Sequence, residues 1–462
     1  MKAAACVLFA TLGFLQACTL LHKAEKPAVV APERWLAASG SARVEREWWV
    51  GFGDPVLTRL IDEALVRNLD VRQSAARVAE ARALSDAQSA SALPSLDFAG
   101  VAQRSRSVHP VTGRPYLSNV AQPQIVAAYE IDVWGRIDAL IVAARTDAES
   151  LTAARDAVTL SVSAGVASSY FNLLNIDAQL ELAHRTLQSR ERSLALMRSR
   201  EAGGYGGSLE SAQAEAELRA TAQVIPQLER AAQRQEQALS ILLARNPGAV
   251  ERGKTLQGIT VRGLPDAGVP SELLRRRPDV ASAELQVASA DARLRAARAQ
   301  MLPSVQLSAS IGLVYSSVLI GDPFSIWSLG GSILAPIFNG GRLRALARAS
   351  TSRRDQALIE YERTVLTSFG EVETLLTAHE KLRQEMAQAE LQRRALEDAL
   401  RIARNRYREG YSSYLDELLA QRNLFAVEQT LLQLQAELLS DEVNLYRALG
   451  GGWEQASAHD GP

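Results

Sequence analysis

The chain has 462 residues, of which 47% are hydrophobic and only 5% aromatic, and its formal net charge is −1. This length allows two or three domains or one long helical body, and the bias toward alanine and leucine favours long helices over a compact β-sandwich. A nearly neutral chain gives no electrostatic reason to expect nucleic acid as a partner.

The first 17 residues resemble an export signal peptide. Lys2 precedes an apolar run, Ala3–Leu15, that is too short to span a bilayer. The residues LQAC that end at Cys18 resemble the bacterial lipoprotein box, so we predict that Cys18 is lipidated and tethers the mature chain. The alternative is an ordinary signal peptide with an incidental cysteine. Lipoproteins that are retained at the inner membrane resemble one another in carrying Asp directly after the lipidated cysteine. This chain has Thr19 at that position, which favours the outer membrane.

The rest of the chain contains two copies of one unit. Leu93–Ser95 recurs as Leu302–Ser304 at an offset of 209, whereas Gly135-Arg136 recurs as Gly341-Arg342 at an offset of 206. The difference indicates a three-residue deletion in the second copy.

Leucines at heptad spacing predict long, coiled-coil-like helices in both copies. The seams include Leu173, Leu180, Leu187 and Leu194 in the first copy and Leu375, Leu382 and Leu396 in the second. No proline interrupts residues 137–202, which would make about 100 Å of helix. A double leucine seam in residues 418–446 is typical of a helix in a ring of helices, although an ordinary long hairpin would show similar seams.

Between these helices the hydrophobic period changes from seven to two. Residues 305–313 alternate apolar with small polar side chains, and residues 125–133 also alternate. Each run has roughly the 9 to 11 residues of a membrane-spanning strand. We predict hairpin turns at His109–Asn119 and Ser317–Ser325, with the deletion in the second turn. Soluble, half-buried strands would show the same local pattern.

Four strands per chain cannot close a membrane barrel, because edge N–H and C=O groups in lipid must be paired and closed barrels begin at about eight strands. The chain is therefore predicted to share its barrel with copies of itself. Three chains would supply twelve strands and twelve long helices in a closed, pseudo-sixfold cylinder. The predicted fold class is mixed α and β, with a duplicated unit of two membrane β-strands plus long helices forming a shared β-barrel and an α-helical periplasmic tunnel.

The repeats and chain breakers divide the sequence into six predicted segments. They are a signal peptide (1–17), an N-terminal tether and equatorial segment (18–53), a first repeat (54–245) with a strand hairpin at about 95–134, a linker (246–270), a second repeat (271–449) with a strand hairpin at about 304–339, and a tail (450–462).

The segment GVPSELLRRRPDV at Gly268–Val280 resembles the signature of TolC/OprM-type outer-membrane efflux channels, in the lipoprotein or NodT-like branch. Trp48-Trp49 and Phe52–Pro55 look like that branch's N-terminal motif, and the similarity extends to Leu449. The resemblance implies a homotrimer in outer-membrane lipid that docks to a periplasmic adaptor (membrane fusion) protein and an inner-membrane pump of the RND type.

The same resemblance implies a periplasmic gate where the long helices meet, at Glu201–Leu209 and Arg408–Leu415. The residues expected to contact the adaptor there are Gly204, Tyr205, Arg406, Gly410 and Tyr411. Asp416 matches the first acidic position of the family's aperture, but the second is Leu419. The predicted gate residues are therefore Asp416 and, as a partial substitute, Glu417; the alternative is a solvated helix end.

The stretch GAVERGKT at Gly248–Thr255 satisfies the phosphate-loop pattern, but its context is inverted. A phosphate loop connects a buried strand to a helix, whereas helical residues precede this stretch and Gly258, Gly263 and Pro265 follow it. We therefore predict a linker and no nucleotide site. The five histidines lack metal-ligand spacing and no nucleophile motif occurs, so no catalytic residue, metal or cofactor is predicted.

These observations predict a passive conduit for small molecules rather than an enzyme. The rival from another class is a lipid-tethered periplasmic coiled-coil adaptor or structural protein, but adaptors place one helical hairpin inside β domains and this chain has two. A third interpretation keeps the channel and changes the cargo to secreted protein; the lipoprotein box and the branch motif make it less favoured.

Overall fold

The computed structural model describes residues 30–37, 40–41, 44–259, 263–318 and 323–453. The predicted signal peptide and Cys18 lie outside these residues, as do part of the second hairpin turn and most of the tail. Lipidation therefore stays a prediction.

The chain folds into two matching series, each with two helices, two strands and two further helices. The helices are α1 (Pro55–Arg67), α2 (Leu69–Ala90), α3 (Arg136–Ala202), α4 (Ser208–Leu242), α5 (Pro270–Arg276), α6 (Pro278–Ala299), α7 (Arg342–Arg408) and α8 (Tyr414–Ala448). The strands are β1 (Ser95–Val108), β2 (Pro115–Ile131), β3 (Ser304–Ser316) and β4 (Phe324–Leu334). Helices α2 and α6 each have 22 residues, α3 and α7 each have 67, and α4 and α8 each have 35, which confirms the duplication.

The described residues fall into two compact units. The first comprises residues 77–152 and 282–362 and contains the sheet. The second comprises residues 30–76, 153–281 and 363–453 and contains the main hydrophobic core and both turns between the long helices.

The four strands form one antiparallel sheet in the order β1-β2-β3-β4. A single row across it joins Phe98, Ile125, Ile311 and Trp327, and all four side chains are exposed. The alternate row on the opposite face contains Ser310 paired with Ser328, whose hydroxyls lie 2.8 Å apart. One face of the sheet is therefore apolar and exposed, and the other carries mostly small and polar side chains, as the period of two predicts.

The strands differ from the prediction at their ends. They contain 14, 17, 13 and 11 residues, so three exceed the predicted length, and the first turn shrinks to residues 109–114. Strand pairing needs only backbone groups, so it continues through polar residues where the apolar alternation has stopped. The registers support the predicted place of the deletion. Ser95 pairs with Ala128 and Ser304 with Leu334, so the offset of 209 holds through β3 and that of 206 through β4. The three-residue difference therefore lies at the hairpin tip, where residues 317–323 replace residues 108–117.

Aromatic side chains from both ends of the chain form the core of the second unit. Trp48 stacks on Tyr446 with ring centroids 5.5 Å apart, and Phe52 meets Phe171 edge to face at 5.0 Å. Helix α3 includes an 18-residue window of mean hydropathy 1.3, long enough to cross a membrane, but half of that window is buried inside the protein. The buried part includes Phe171, so we interpret the window as core.

A run of three glycines follows α8 and packs tightly in the second unit. Gly450, Gly451 and Gly452 all have positive φ, where side chains other than glycine are strained. A Cβ on Gly451 would lie 2.3 Å from Leu160, and one on Gly452 would lie 2.6 Å from the backbone of Arg46. Glycine is therefore required here by both space and backbone conformation.

Candidate functional site

The two turns between long helices have the same backbone geometry. Gly204 and Gly410 adopt left-handed φ values of 75° and 80° two residues after the ends of helices α3 and α7. In each turn the next residue, Tyr205 or Tyr411, donates its N–H to the carbonyl five residues earlier, at 2.9 and 2.8 Å. This is the Schellman arrangement that ends helices, and it explains why Gly-Tyr recurs in the sequence.

The residues predicted to contact an adaptor lie together at these turns and are exposed. The side chains of Tyr205 and Tyr411 are 86% and 77% exposed. Arg406, in the last turn of α7, is also exposed, and so are Gly204 and Gly410. Two large aromatic side chains in water at a pair of helix turns are typical of a surface that a partner covers.

A buried cluster beneath the turns contains side chains from both copies. It comprises Leu194, Met197, Ala214, Tyr407, Tyr414 and Leu418. The Tyr407 hydroxyl donates to Glu210 Oε2 at 3.1 Å, and its ring lies 4.9 Å from the Arg200 guanidinium. Burial, reinforced by the nearby Glu417 charge, raises the pKa of Tyr414 to about 12. Tyr414 is therefore neutral at physiological pH.

The structure separates the two predicted gate carboxylates. Glu417 is buried beside Tyr414 and accepts hydrogen bonds from Arg404 Nε at 3.1 Å and Gln421 Nε2 at 3.0 Å. Asp416 is exposed, and no side-chain hydrogen bond or ion pair engages it within the described part of the chain. Adjacent residues on a helix point in different directions, so the buried Glu417 does not lie on the exposed surface of Asp416, where a partial substitute for the second acidic position was expected.

A buried ion pair near the turns was missed in the sequence. Arg190 on α3 donates from Nη1 to Glu217 Oε2 on α4 at 2.6 Å, and their side chains are only 7% and 6% exposed. Arg422 on α8 donates from Nε to Glu217 Oε1 at 2.6 Å. Burial lowers the pKa of Arg190, although the Glu217 charge opposes the shift. The available signal was a charged residue in the seam of α4, between buried Ala214 and Thr221.

The segment that resembles a phosphate loop contacts a carboxylate of the chain itself. Asp54 Oδ2 accepts from the Tyr170 hydroxyl at 2.9 Å and from the Lys254 N–H at 3.0 Å. The Gly253 N–H donates to the Tyr170 oxygen at 2.9 Å, and a Cβ on Gly253 would lie 2.1 Å from Asp54 Oδ1. Irregular backbone, not a strand, contains this segment, so its glycine serves packing rather than nucleotide binding.

The RRRPDV motif also has a structural role. Arg277 is buried and donates to Asp279 Oδ2 at 2.8 Å, Glu371 Oε2 at 2.8 Å and the Ala448 carbonyl at 2.9 Å. Burial alone would lower the pKa of Arg277, but the hydrogen bonds and charges of the two carboxylates outweigh it and raise the pKa. The motif therefore ties the start of α6 to the end of α8.

Among the residues that the structure describes, no group of three or more His, Cys, Asp or Glu side chains could hold a metal ion. The features that stand out are instead an exposed apolar sheet face, two open sheet edges and a pair of exposed helix turns. Exposed apolar faces and open sheet edges of this kind are typical of surfaces that lipid or other chains cover.

Comparison with known proteins agrees with these surfaces. The family model described as outer membrane efflux protein matches residues 60–245 and 269–451. The pyoverdine export outer membrane protein OpmQ of Pseudomonas aeruginosa is 33% identical, over 96% of this chain and 97% of the relative. The toluene efflux pump outer membrane protein TtgI of Pseudomonas putida is 34% identical, over 98% of this chain and 99% of the relative.

A solved structure shows the same fold. The open state of the Neisseria gonorrhoeae MtrE outer membrane channel aligns with a TM-score of 0.83 and 31% identity, over 93% of this chain and 97% of that one. Both halves of the duplicated chain are matched by the family model, and the mixed α and β architecture is that of an outer-membrane channel. The chain belongs to the outer membrane efflux protein family.

Proposed function

We propose that this chain is the outer-membrane channel of a tripartite efflux system, a passive trimeric conduit rather than an enzyme. The observation that carries the proposal is the sheet, which exposes an apolar row on one face and mostly small, polar side chains on the other. A lipid-facing exterior and a water-facing interior require this arrangement in a membrane barrel.

The open sheet edges support assembly from copies. Within the described residues β1 and β4 each pair on one side only, which leaves a row of unpaired backbone groups on each outer strand. Such edges are costly in lipid, so β4 of one copy is expected to pair with β1 of the next. Three copies give a twelve-stranded barrel.

The experiment that tests assembly measures the mass of the protein extracted from outer membranes in mild detergent. We expect three chains per particle, and a particle that stays folded only in detergent or lipid. A folded, monodisperse monomer in plain buffer, after removal of the predicted lipid anchor at Cys18, would instead favour the rival, a tethered periplasmic adaptor.

The exposed helix turns fit the periplasmic adaptor, and an inner-membrane pump of the RND type supplies the energy. Replacing Tyr205 and Tyr411 together by Ala removes the exposed aromatic area while leaving the Schellman glycines intact. We expect weaker crosslinking to the adaptor with unchanged trimer mass, and the matched control is Tyr116→Ala in the sheet hairpin. Unchanged crosslinking would show that the turns do not dock the adaptor.

Asp416 is the proposed gate residue, because its carboxylate is exposed next to the turn while that of Glu417 is engaged by Arg404. Three copies would place a ring of carboxylates at the mouth, which favours cations. In single-channel recordings Asp416→Ala should lower cation selectivity, whereas the control Glu385→Ala, an exposed carboxylate within α7, should not. Equal selectivity of Asp416→Ala and wild type would remove Asp416 from the gate.

The cargo is set elsewhere in the system. Relatives that are similarly identical to this chain are named for pyoverdine and for toluene, which differ greatly in polarity. We infer that the channel carries small molecules selected by the pump and adaptor. The proposal includes the division of the chain into the six segments given above, among them the signal peptide (1–17) and the linker between the repeats (246–270), and it includes the lipid anchor at Cys18.

A further inference from the structure

The first unit contains a cavity where the strands of the sheet meet the long helices. Its volume is about 370 Å³, within the usual range of small-molecule sites. Segments that end β2 and β4 and segments that begin β3 and α7 form the wall. The lining residues that matter here are Asp132, Trp134, Pro303, Leu334, Pro336 and Arg342.

Two charged side chains that line this cavity, Asp132 and Arg342, have hydrogen-bonding atoms without a partner in the described chain. Arg136 and Glu130, which also line it, neutralise each other through hydrogen bonds of 2.8 Å from Nη2 to both carboxylate oxygens. Asp132 uses Oδ2 to accept the Asp138 N–H at 2.8 Å, and its other oxygen has no partner in the described chain. Arg342 is exposed and forms no ion pair within the described residues. The cavity therefore offers one guanidinium and one carboxylate oxygen to a ligand.

The chain beside the cavity is apolar and open to the surroundings. Ile337 and Phe338, between β4 and α7, are 97% and 91% exposed, and Ile333 on the apolar sheet face is also exposed. Arg344 adds a second exposed cation one residue beyond Leu343, and residues 323–354 contain no Asp or Glu. An apolar strip next to a basic helix end is typical of a segment at the surface of a membrane.

We propose that this cavity binds the headgroup of a zwitterionic aminophospholipid. The Arg342 guanidinium hydrogen-bonds the phosphate, the free oxygen of Asp132 accepts from the primary ammonium, and the acyl chains lie along Ile337 and Phe338. An anionic headgroup without an ammonium offers Asp132 no cationic donor, and a quaternary ammonium has no N–H to donate. The proposal rests on the membrane position of the sheet given above, which places the strand ends at the lipid headgroups.

The test is native mass spectrometry of the full-length protein in detergent, titrated with phosphatidylethanolamine. Arg342→Gln should weaken lipid retention about tenfold, as expected for losing one charge-assisted hydrogen bond. Arg383→Gln, an exposed arginine on the same helix but outside the cavity, should leave retention unchanged. The wild type should retain phosphatidylethanolamine more tightly than phosphatidylcholine or phosphatidylglycerol.

Further arms separate the sources of the headgroup. Phe338→Ser should weaken the diacyl lipid but not glycerophosphoethanolamine, which has the same headgroup and no acyl chains. If glycerophosphoethanolamine binds as tightly as the lipid, the site holds a soluble phosphoester and the lipid assignment is wrong.

The remaining outcomes also decide the matter. Equal retention by wild type and Arg342→Gln overturns the site, and an altered oligomer mass in Arg342→Gln assigns Arg342 to contacts between copies instead. A wild-type chain that neither forms oligomers nor needs detergent would refute the channel itself, an outcome that the Arg342 comparison cannot produce.

Discussion

We expect the buried ion pair between Arg190 and Glu217 to stabilise α3 and α4 against local opening near the turn that joins them. Glu217→Gln removes the negative charge but keeps the shape, so the Arg190 guanidinium stays buried without a counter-charge. Both side chains are more than nine-tenths buried, and breaking such a pair from one side costs about 3–5 kcal/mol. Since the glutamine oxygen can still accept a hydrogen bond, we expect the lower end, about 3 kcal/mol.

Hydrogen exchange of the detergent-solubilised protein measures this cost. A loss of about 3 kcal/mol in the free energy of local opening accelerates amide exchange roughly a hundredfold. The effect should be confined to peptides of α3 and α4 around the pair and of α8 around Arg422, which also donates to Glu217. The matched control is Glu215→Gln on the same helix, where the carboxylate pairs with Arg198 on the surface; its exchange should not change measurably.

The double variant Arg190→Met with Glu217→Leu tests the reasoning itself. If the penalty comes from an unpaired buried charge, replacing both partners by apolar side chains should restore slow exchange at position 190 and its neighbours. Exchange as fast in the double variant as in Glu217→Gln would refute the electrostatic argument. Wild-type exchange in Glu217→Gln would show that Arg190 does not depend on Glu217.

Three further changes test other parts of the molecule. Gly253→Ala places a methyl against the Asp54 carboxylate and should lower the free energy of unfolding by about 1–3 kcal/mol, read from thermal denaturation. Burial alone would raise the pKa of Asp279, but the hydrogen bond and charge of Arg277 outweigh burial and lower the pKa. The Asp279 carboxylate therefore contributes stability above the unfolded pKa of about 3.9, and this contribution is lost as pH falls through the lower folded pKa. The difference in unfolding free energy between wild type and Asp279→Asn should therefore narrow in acid. Ile311→Arg puts a charge on the exposed apolar face and should cost about 2–4 kcal/mol at mid-membrane, measured as the fraction assembled in outer membranes.

Each of these changes has a comparison that isolates its cause. Gly248→Ala is sterically free, since the nearest atom would lie 3.8 Å away, so equal losses at Gly248 and Gly253 would contradict the packing argument. A gap between wild type and Asp279→Asn that stays constant with pH would contradict the linkage. Ser310→Arg, on the opposite face of β3, should assemble better than Ile311→Arg; the reverse would invert the assignment of the two faces.

Periodicity predicted the elements of this fold because periods record which face of a helix or strand is buried. Gly204 and Gly410 predicted the helix ends, since only glycine readily adopts the left-handed backbone there. The strand ends were not predictable in this way, because backbone pairing continues past the last apolar residue. Glu217 and Asp54 find partners more than a hundred residues away, and no local pattern records such contacts.

Only part of the candidate site was predictable from the sequence, because some of its features depend on contacts between distant segments. The resemblance pointed to Asp416. Helical spacing could have shown that Glu417 points elsewhere, because residues three and four apart share a helix face and Glu417 lies three residues after Tyr414, on the buried face of α8. Asp416 lies with Leu415 on the exposed side. The cavity at Arg342 depends on four segments meeting, which only the structure reveals.

The glycine run after α8 has a consequence for how the protein matures. Gly452 touches Arg46, and Tyr446 touches Trp48, so the second unit is closed by contacts between the first and last parts of the chain. A polypeptide that crosses a membrane from its N-terminus onward cannot make these contacts until the segment around Gly452 has been synthesised and has crossed. Closure of the second unit is therefore a late step in the folding of each copy.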